Sequence, residues 1–86
     1  MTLQFISEYL DRKIDENEEI VTISFYDLRI KKGLTEKEVD KFLELARIRF
    51  LNMNYQVFFT GTKYKYKNVE KIVQSNEYMV AIKETS

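Results

Sequence analysis

The spacing of apolar residues along the chain predicts two amphipathic helices. The first covers residues 3–16, where four aliphatic side chains lie three or four positions apart on one stripe: Leu3, Ile6, Leu10 and Ile14. The second covers about residues 36–51, with a similar stripe: Val39, Phe42, Leu43, Ala46 and Phe50. The pattern Thr35-x-x-Glu38 precedes the second helix. It is typical of a capping box, in which a hydroxyl and a carboxylate satisfy free amides where a helix starts.

Three β-branched or aromatic segments predict strands over residues 20–23, 55–60 and 78–82. The polar run 15–19 between the first helix and the first strand predicts a turn or a frayed helix end.

A short helix is predicted from Phe25 to Lys32, between the first strand and the second long helix. Ser24 is placed to cap its start, and Gly33 can adopt the left-handed conformation that ends a helix. We expect three of its side chains to face inward: Phe25, Leu28 and Ile30.

Lysine and tyrosine alternate strictly over residues 63–67, after a break at Gly61 and Thr62. This pattern predicts an exposed ribbon with Lys63, Lys65 and Lys67 on one side. Tyr64 and Tyr66 then lie on the other side. For residues 68–76 two alternatives stay open: a short helix capped by Asn68, or the far end of a long hairpin.

Length and composition predict a single α+β domain over residues 1–86. Of these residues, 44% are hydrophobic and 14% aromatic, which is enough for a dense small core. The aromatic residues expected in this core are Phe25, Phe42, Phe50, Tyr55 and Phe59. Alternation places Phe58 on the opposite side of its strand, where an exposed ring would be able to stack on a base.

The chain has no apolar run of about 20 residues and no signal-peptide pattern, so we expect a cytoplasmic protein without membrane contact. It also contains neither cysteine nor histidine. The commonest general base, the commonest metal ligand and thiolate chemistry are therefore missing. We expect no catalytic residue, no cofactor and no metal, and hence no enzyme.

Charge is unevenly distributed along this chain of zero formal net charge. Residues 1–20 carry six acidic and two basic side chains, a net charge of −4, and the rest carries +4. A small domain polarised in this way can present a positive face.

The order of these elements resembles that of the winged helix-turn-helix family. The residues that carry the resemblance lie in 23–43, where Lys31-Lys32-Gly33-Leu34 is followed directly by the capping box. In that family the helix after the Gly-Leu turn is the recognition helix, and the tip of the following hairpin is the wing. The resemblance therefore implies a winged helix fold: helix, short strand, helix, helix and β-hairpin wing.

The resemblance also implies that the protein binds specific sequences of double-stranded DNA. Such proteins act as transcription regulators or as plasmid and phage accessory factors in partition or at a conjugative transfer origin. Because many proteins this small gain further burial by dimerising, we also expect a homodimer. Lysines neutralise phosphates and tyrosine hydroxyls donate to them. The expected DNA-binding residues are Arg29, Lys31, Lys32, Thr35, Lys37, Lys41, Lys63, Tyr64, Lys65, Tyr66 and Lys67.

A protein-interaction module is the alternative function. A small phage- or plasmid-encoded protein that inhibits or adapts a host enzyme has a comparable size, and strand 63–67 could add to a partner's sheet. A protein partner within a nucleoprotein complex is also compatible with the sequence. Lysines on an edge strand also prevent unwanted pairing without any ligand. Cations gathered on one face favour nucleic acid, whereas acidic residues that interrupt this face favour a protein partner.

Overall fold

The described residues have an α+β arrangement: a helix, a short strand, two successive helices and then four strands, with all strand pairs antiparallel. The computed structural model describes residues 3–16 and 19–84. Its elements are α1 (Leu3–Glu16), β1 (Ile20–Ser24), a π-helix (Tyr26–Lys31), α2 (Glu36–Asn52), β2 (Tyr55–Phe59), β3 (Lys63–Tyr66), β4 (Val69–Ile72) and β5 (Glu77–Lys83). The α+β class and both long helices are as predicted from the sequence.

The five strands form two separate antiparallel sheets. A three-stranded sheet has the order β1-β5-β2, so the last strand lies in the centre. β3 and β4 pair only with each other. We call residues 63–72, which contain β3 and β4, the hairpin. In sequence it lies between the paired strands β2 and β5.

The main core lies between the three-stranded sheet and the helices. α1 contributes Ile6, Tyr9 and Leu10, all buried. Of the predicted stripe, Ile6 and Leu10 are thus buried and Ile14 is partly buried. The other buried members come from the π-helix, α2 and the sheet: Val21, Ile23, Leu28, Leu34, Val39, Phe42, Ala46, Phe50, Tyr55, Met79 and Ala81. Alternate residues of each strand therefore face this core.

A second, smaller core covers the opposite face of the same sheet. Tyr64 of the hairpin is buried there with Val73 and Val80. Ile20, Phe58, Tyr66 and Ile82 pack around them. Both faces of the sheet are thus covered, one by helices and one by the hairpin.

The short helix predicted over Phe25–Lys32 is a π-helix, in which the amide of Lys32 donates to the carbonyl of Asp27 over 3.1 Å. Because this winding is wider than that of an α-helix, the inward positions assumed from a 3.6-residue period are wrong for two of three side chains. Leu28 is fully buried, but Phe25 is 41% and Ile30 is 61% exposed.

Both ends of the π-helix follow the sequence prediction. The amide of Asp27 donates to Ser24 Oγ over 3.1 Å. Gly33 has a φ of +66°, and the amide of Leu34 donates back to the carbonyl of Leu28. The left-handed glycine therefore stops the helix immediately before α2.

α2 begins with the capping box that the sequence predicts. The amide of Glu38 donates to Thr35 Oγ1 over 3.2 Å, and the amide of Thr35 donates to Glu38 Oε1 over 3.0 Å. The hydrogen bond from the Thr35 amide to the carboxylate lowers the pKa of Glu38. The stripe of α2 is buried at Val39, Phe42, Ala46 and Phe50 and partly buried at Leu43.

The helix that the sequence allowed after Asn68 does not form, because residues 69–72 are strand β4. Lys67 and Asn68 have φ values of 52° and 65° and form a two-residue turn that closes the hairpin at Tyr66 and Val69. Two positive φ values are typical of a type I′ turn, whose twist matches that of the strands it joins.

Phe59, predicted in the core, is 40% exposed at the end of β2. Beyond it the chain leaves the sheet in a turn, where Thr62 N–H donates to the Phe59 carbonyl and Gly61 has a φ of +86°. None of the described helices combines the length and the apolar character that a membrane span requires.

Candidate nucleic-acid interface

Two tyrosines attach the hairpin to the sheet. Tyr64 stacks on Phe58, with ring centroids 5.4 Å apart and planes 28° apart. It is buried, and burial raises the pKa of its hydroxyl. The face of Phe58 that we expected to be available for a base is therefore covered by Tyr64, and Tyr64 itself is an anchor of the hairpin.

The outer surface of the hairpin carries Lys63 and Lys65, both exposed as predicted. Neither ammonium forms an ion pair within residues 3–16 and 19–84. Glu70 lies directly opposite Lys65 in the register, and Ile72 lies opposite Lys63. The hairpin as a whole holds four lysines and one glutamate, a net charge of +3.

Lys67 does not continue the row of Lys63 and Lys65 along the strand, contrary to the sequence prediction. It lies in the turn, and its ammonium is 3.7 Å from Glu19 Oε2 and 5.3 Å from the centroid of the Tyr66 ring. The strand ends at Tyr66, and the turn directs the next side chain toward the ring. Lys67 is 72% exposed at its side chain.

Tyr66 binds the start of β1 through Glu19. Its hydroxyl donates to Glu19 Oε2 over 2.7 Å. The hydrogen bond from Tyr66 and the charge of Lys67 lower the pKa of Glu19, and the same hydrogen bond raises the pKa of Tyr66. Sequence reasoning missed Glu19, because its position in the acidic run suggested only a solvated turn.

The basic residues before α2 are partly engaged within the protein. Arg29 is 3.6 Å from Glu36 and lies over the ring of Phe25 at 5.8 Å. Lys32 lies over the ring of Phe5 at 5.3 Å. Lys31 and Lys32 share a groove with residues of α1 and the π-helix: Tyr9, Arg12, Lys13, Glu16 and Asp27. This second basic cluster is distinct from the hairpin.

Asp27, which lines this groove, links the π-helix to α1 through polar contacts. Tyr9 Oη donates to Asp27 Oδ2 over 3.0 Å, and Lys13 Nζ lies 3.1 Å from the same oxygen. Partial burial by itself raises the pKa of Asp27. The hydrogen bonds from Lys13 and Tyr9 and the nearby lysine charges lower this pKa by more. The pKa of Asp27 therefore lies below its ordinary value. Burial, followed by the charge of Asp27, raises the pKa of Tyr9 strongly.

On α2, Lys37 and Lys41 are exposed one helical turn apart. No ion pair involves either of them in the part of the chain that the structure describes. Asp40 and Glu44 are also exposed on this helix, so its surface carries both positive and negative charges. The hydroxyl oxygen of Thr35 accepts the cap hydrogen bond from the amide of Glu38, so Thr35 stabilises the start of α2.

The predicted site residues thus fall into three groups: the hairpin with Tyr66 and Lys67 at its tip, the groove at Lys31 and Lys32, and the exposed surface of α2. No group of three or more acidic, histidine or cysteine side chains among the described residues is placed to hold a metal ion. Comparison with protein-family models, with curated protein sequences and with solved structures gives no match for this chain.

Proposed function

We propose that this chain is a winged helix protein that binds double-stranded DNA and has no catalytic activity of its own. The order of helices and strands supports this fold, with a capped helix after a left-handed glycine and two paired strands, β2 and β5, at the end. The hairpin lies between these strands, in the position of the wing. Its role is then to contact the DNA backbone.

The observation that carries the proposal is the set of solvated lysines on the hairpin. Lys63 and Lys65 are exposed on β3, and no carboxylate of the described residues pairs with them at ion-pair distance. Each lysine that neutralises a phosphate releases condensed counterions, which favours binding independently of sequence. The anchoring tyrosines use the opposite side of the ribbon, so Lys63 and Lys65 stay available.

The exposed surface of α2 supports a secondary role for this helix. Lysines and carboxylates alternate there, and a carboxylate near a phosphate opposes the attraction of the neighbouring lysine. We therefore assign most of the affinity to the hairpin, and we assign orientation on the duplex to Lys37 and Lys41.

Salt-dependent binding of a duplex tests this assignment. We expect the double variant Lys63→Ala and Lys65→Ala to lower the magnitude of the slope of log K against log salt by about 0.9 for each phosphate that is no longer neutralised. The matched control, Lys37→Ala and Lys41→Ala, removes the same charge from α2 and should lower it less. Duplexes from the DNA flanking the gene and of mixed sequence, each titrated at several salt concentrations, supply the slopes.

A slope that is the same in the hairpin variant and the wild type would remove the hairpin from the interface. Absence of duplex binding by the wild type at low salt would refute the DNA-binding function itself. A larger effect of the α2 variant would place the main contact on that helix instead.

A protein-interaction module is the second candidate, and two observations favour it. Tyr26 and Ile30 are 60% and 61% exposed on the π-helix, next to Phe25 at 41%. Glu70 interrupts the lysines on the outer surface of the hairpin. Apolar side chains grouped in this way are typical of contact surfaces, either for a second copy in the homodimer we expect or for another protein.

A further inference from the structure

Two donors at the tip of the hairpin converge on one carboxylate oxygen. Tyr66 Oη donates to Glu19 Oε2 over 2.7 Å, and Lys67 Nζ lies 3.7 Å from the same atom. A neutral hydroxyl and an ammonium that meet at one oxygen form a small oxyanion site, which an intramolecular carboxylate fills here.

The cleft beside this oxygen contains more basic than acidic side chains. It has a volume of about 330 Å³ and is lined by Glu19, Lys65, Tyr66, Lys67, Ile82 and Lys83. Among the described residues, three lysines and one carboxylate thus line it. A phosphate diester, which carries one negative charge and two free oxygens, fits the same donors.

The backbone and the ring of Tyr66 hold the donors in place. Lys67 lies in the type I′ turn, and the ammonium groups of Lys67 and Lys71 lie 5.3 and 5.9 Å from the centroid of the Tyr66 ring. Cations near an aromatic face are attracted by the ring quadrupole, so the tip is organised before any ligand arrives.

We propose that Tyr66 and Lys67 form a phosphate-binding site at the tip of the hairpin, and that Glu19 occupies this site in the free protein. The inference rests on the proposed DNA-binding function and adds a regulatory element to it. Duplex DNA must displace Glu19 from the tip, so this acidic residue lowers affinity through an intramolecular contact.

Neutralising the carboxylate tests the inference. We expect Glu19→Gln to raise the affinity for a mixed-sequence duplex about two- to fivefold at fixed salt, since an exposed ion pair changes an equilibrium by about this much. The control Glu16→Gln removes the same charge from the end of α1, where Glu16 lines the groove with Arg12 and Lys31. It should change affinity less than Glu19→Gln.

A small probe separates the tip site from DNA binding. Inorganic tripolyphosphate, titrated by NMR, should shift the amide resonances of Tyr66 and Lys67 at concentrations about two- to fivefold lower in Glu19→Gln than in the wild type. Adding Tyr66→Phe to Glu19→Gln removes the hydroxyl donor but keeps the ring. We expect this second change to weaken the tripolyphosphate response.

The outcomes distinguish the two proposals. Equal behaviour of Glu19→Gln and Glu16→Gln toward both probes would overturn the tip site while leaving DNA binding intact. A tripolyphosphate response that depends on Glu19 and Tyr66, with no duplex binding by any variant, would support the tip site and refute the DNA-binding function.

Discussion

At the scale of single residues, polar contacts between distant segments hold α1 against the rest of the domain. The carboxylate of Asp27 accepts a hydrogen bond from Tyr9 and forms an ion pair with Lys13, and both partners belong to α1. At the other side of this helix, Arg49 donates to Ser7 over 2.7 Å and to the carboxylate of Asp11. α1 is therefore fixed to the π-helix and to α2 by charge-assisted hydrogen bonds as well as by apolar packing.

Asp27→Asn should destabilise the fold at pH 7 by about 1–3 kcal/mol, because a charged hydrogen-bond acceptor that is only partly exposed is replaced by a neutral one. The side chain of Asp27 is 19% exposed. Urea unfolding of the wild type and variant measures the difference. The control is Asp40→Asn, an exposed carboxylate on α2, which should change stability by under about 0.5 kcal/mol.

The pH dependence of this effect follows from the lowered pKa of Asp27. A carboxyl whose pKa is lower in the folded state contributes stability above its unfolded-state pKa, for which the ordinary value is 3.8. That contribution is lost as the pH falls through the folded-state pKa. The cost of Asp27→Asn should therefore shrink below pH 3.8, and a cost that stays constant down to the acid transition would contradict the assignment.

At the scale of elements, the hairpin is attached to the three-stranded sheet by few side chains. As strands, β3 and β4 pair only with each other among the described residues. Their attachment depends on Tyr64 in the second core and on the contact of Tyr66 with Glu19. The hairpin should therefore open more readily than the three-stranded sheet.

Tyr64→Ala should release the hairpin without unfolding the rest of the domain. Loss of a buried aromatic ring costs about 3 kcal/mol, and here we expect the cost to fall on the attachment of the hairpin. Hydrogen exchange should show faster exchange at amides of 63–72 and unchanged protection in α1 and α2. Tyr26→Ala is the matched control, since Tyr26 is 60% exposed. Faster exchange throughout the domain would contradict an independent hairpin.

The elements differ in how far the sequence predicts them. The bounds of α1 and α2 follow from one apolar stripe each and from the Thr35 cap, because these signals are local. The inward positions of the π-helix were wrong at Phe25 and Ile30, since they depended on an assumed α-helical period. Lys67 and Asn68 gave no strong turn signal either, because neither is glycine, although both adopt positive φ.

The sequence predicts the candidate site less completely than it predicts the helices. Exposure of Lys63 and Lys65 followed from the alternation of the ribbon. Tyr66 and Lys67 contact Glu19, and Tyr66 is 47 positions away from it in the sequence. This contact forms only because the hairpin covers one particular face of the sheet. The packing of Tyr64 on Phe58 decides which face is covered, and no local sequence pattern reports it.

At the scale of the whole molecule, net neutrality conceals a local excess of charge. The hairpin carries a net charge of +3, and the contrary charge is concentrated in residues 1–20. Glu19 brings the two together at the tip of the hairpin. If the hairpin binds duplex DNA as we propose, the affinity should fall steeply with salt, because each solvated lysine that neutralises a phosphate releases counterions.

NMR chemical-shift mapping tests whether duplex DNA binds to the hairpin. A duplex of mixed sequence is titrated into the labelled protein at low salt, and the amide resonances are followed. We predict that the largest shifts fall on residues 63–71, with smaller shifts near Lys37 and Lys41. Shifts concentrated on Tyr26 and Ile30, or no shifts at all, would contradict binding at the hairpin.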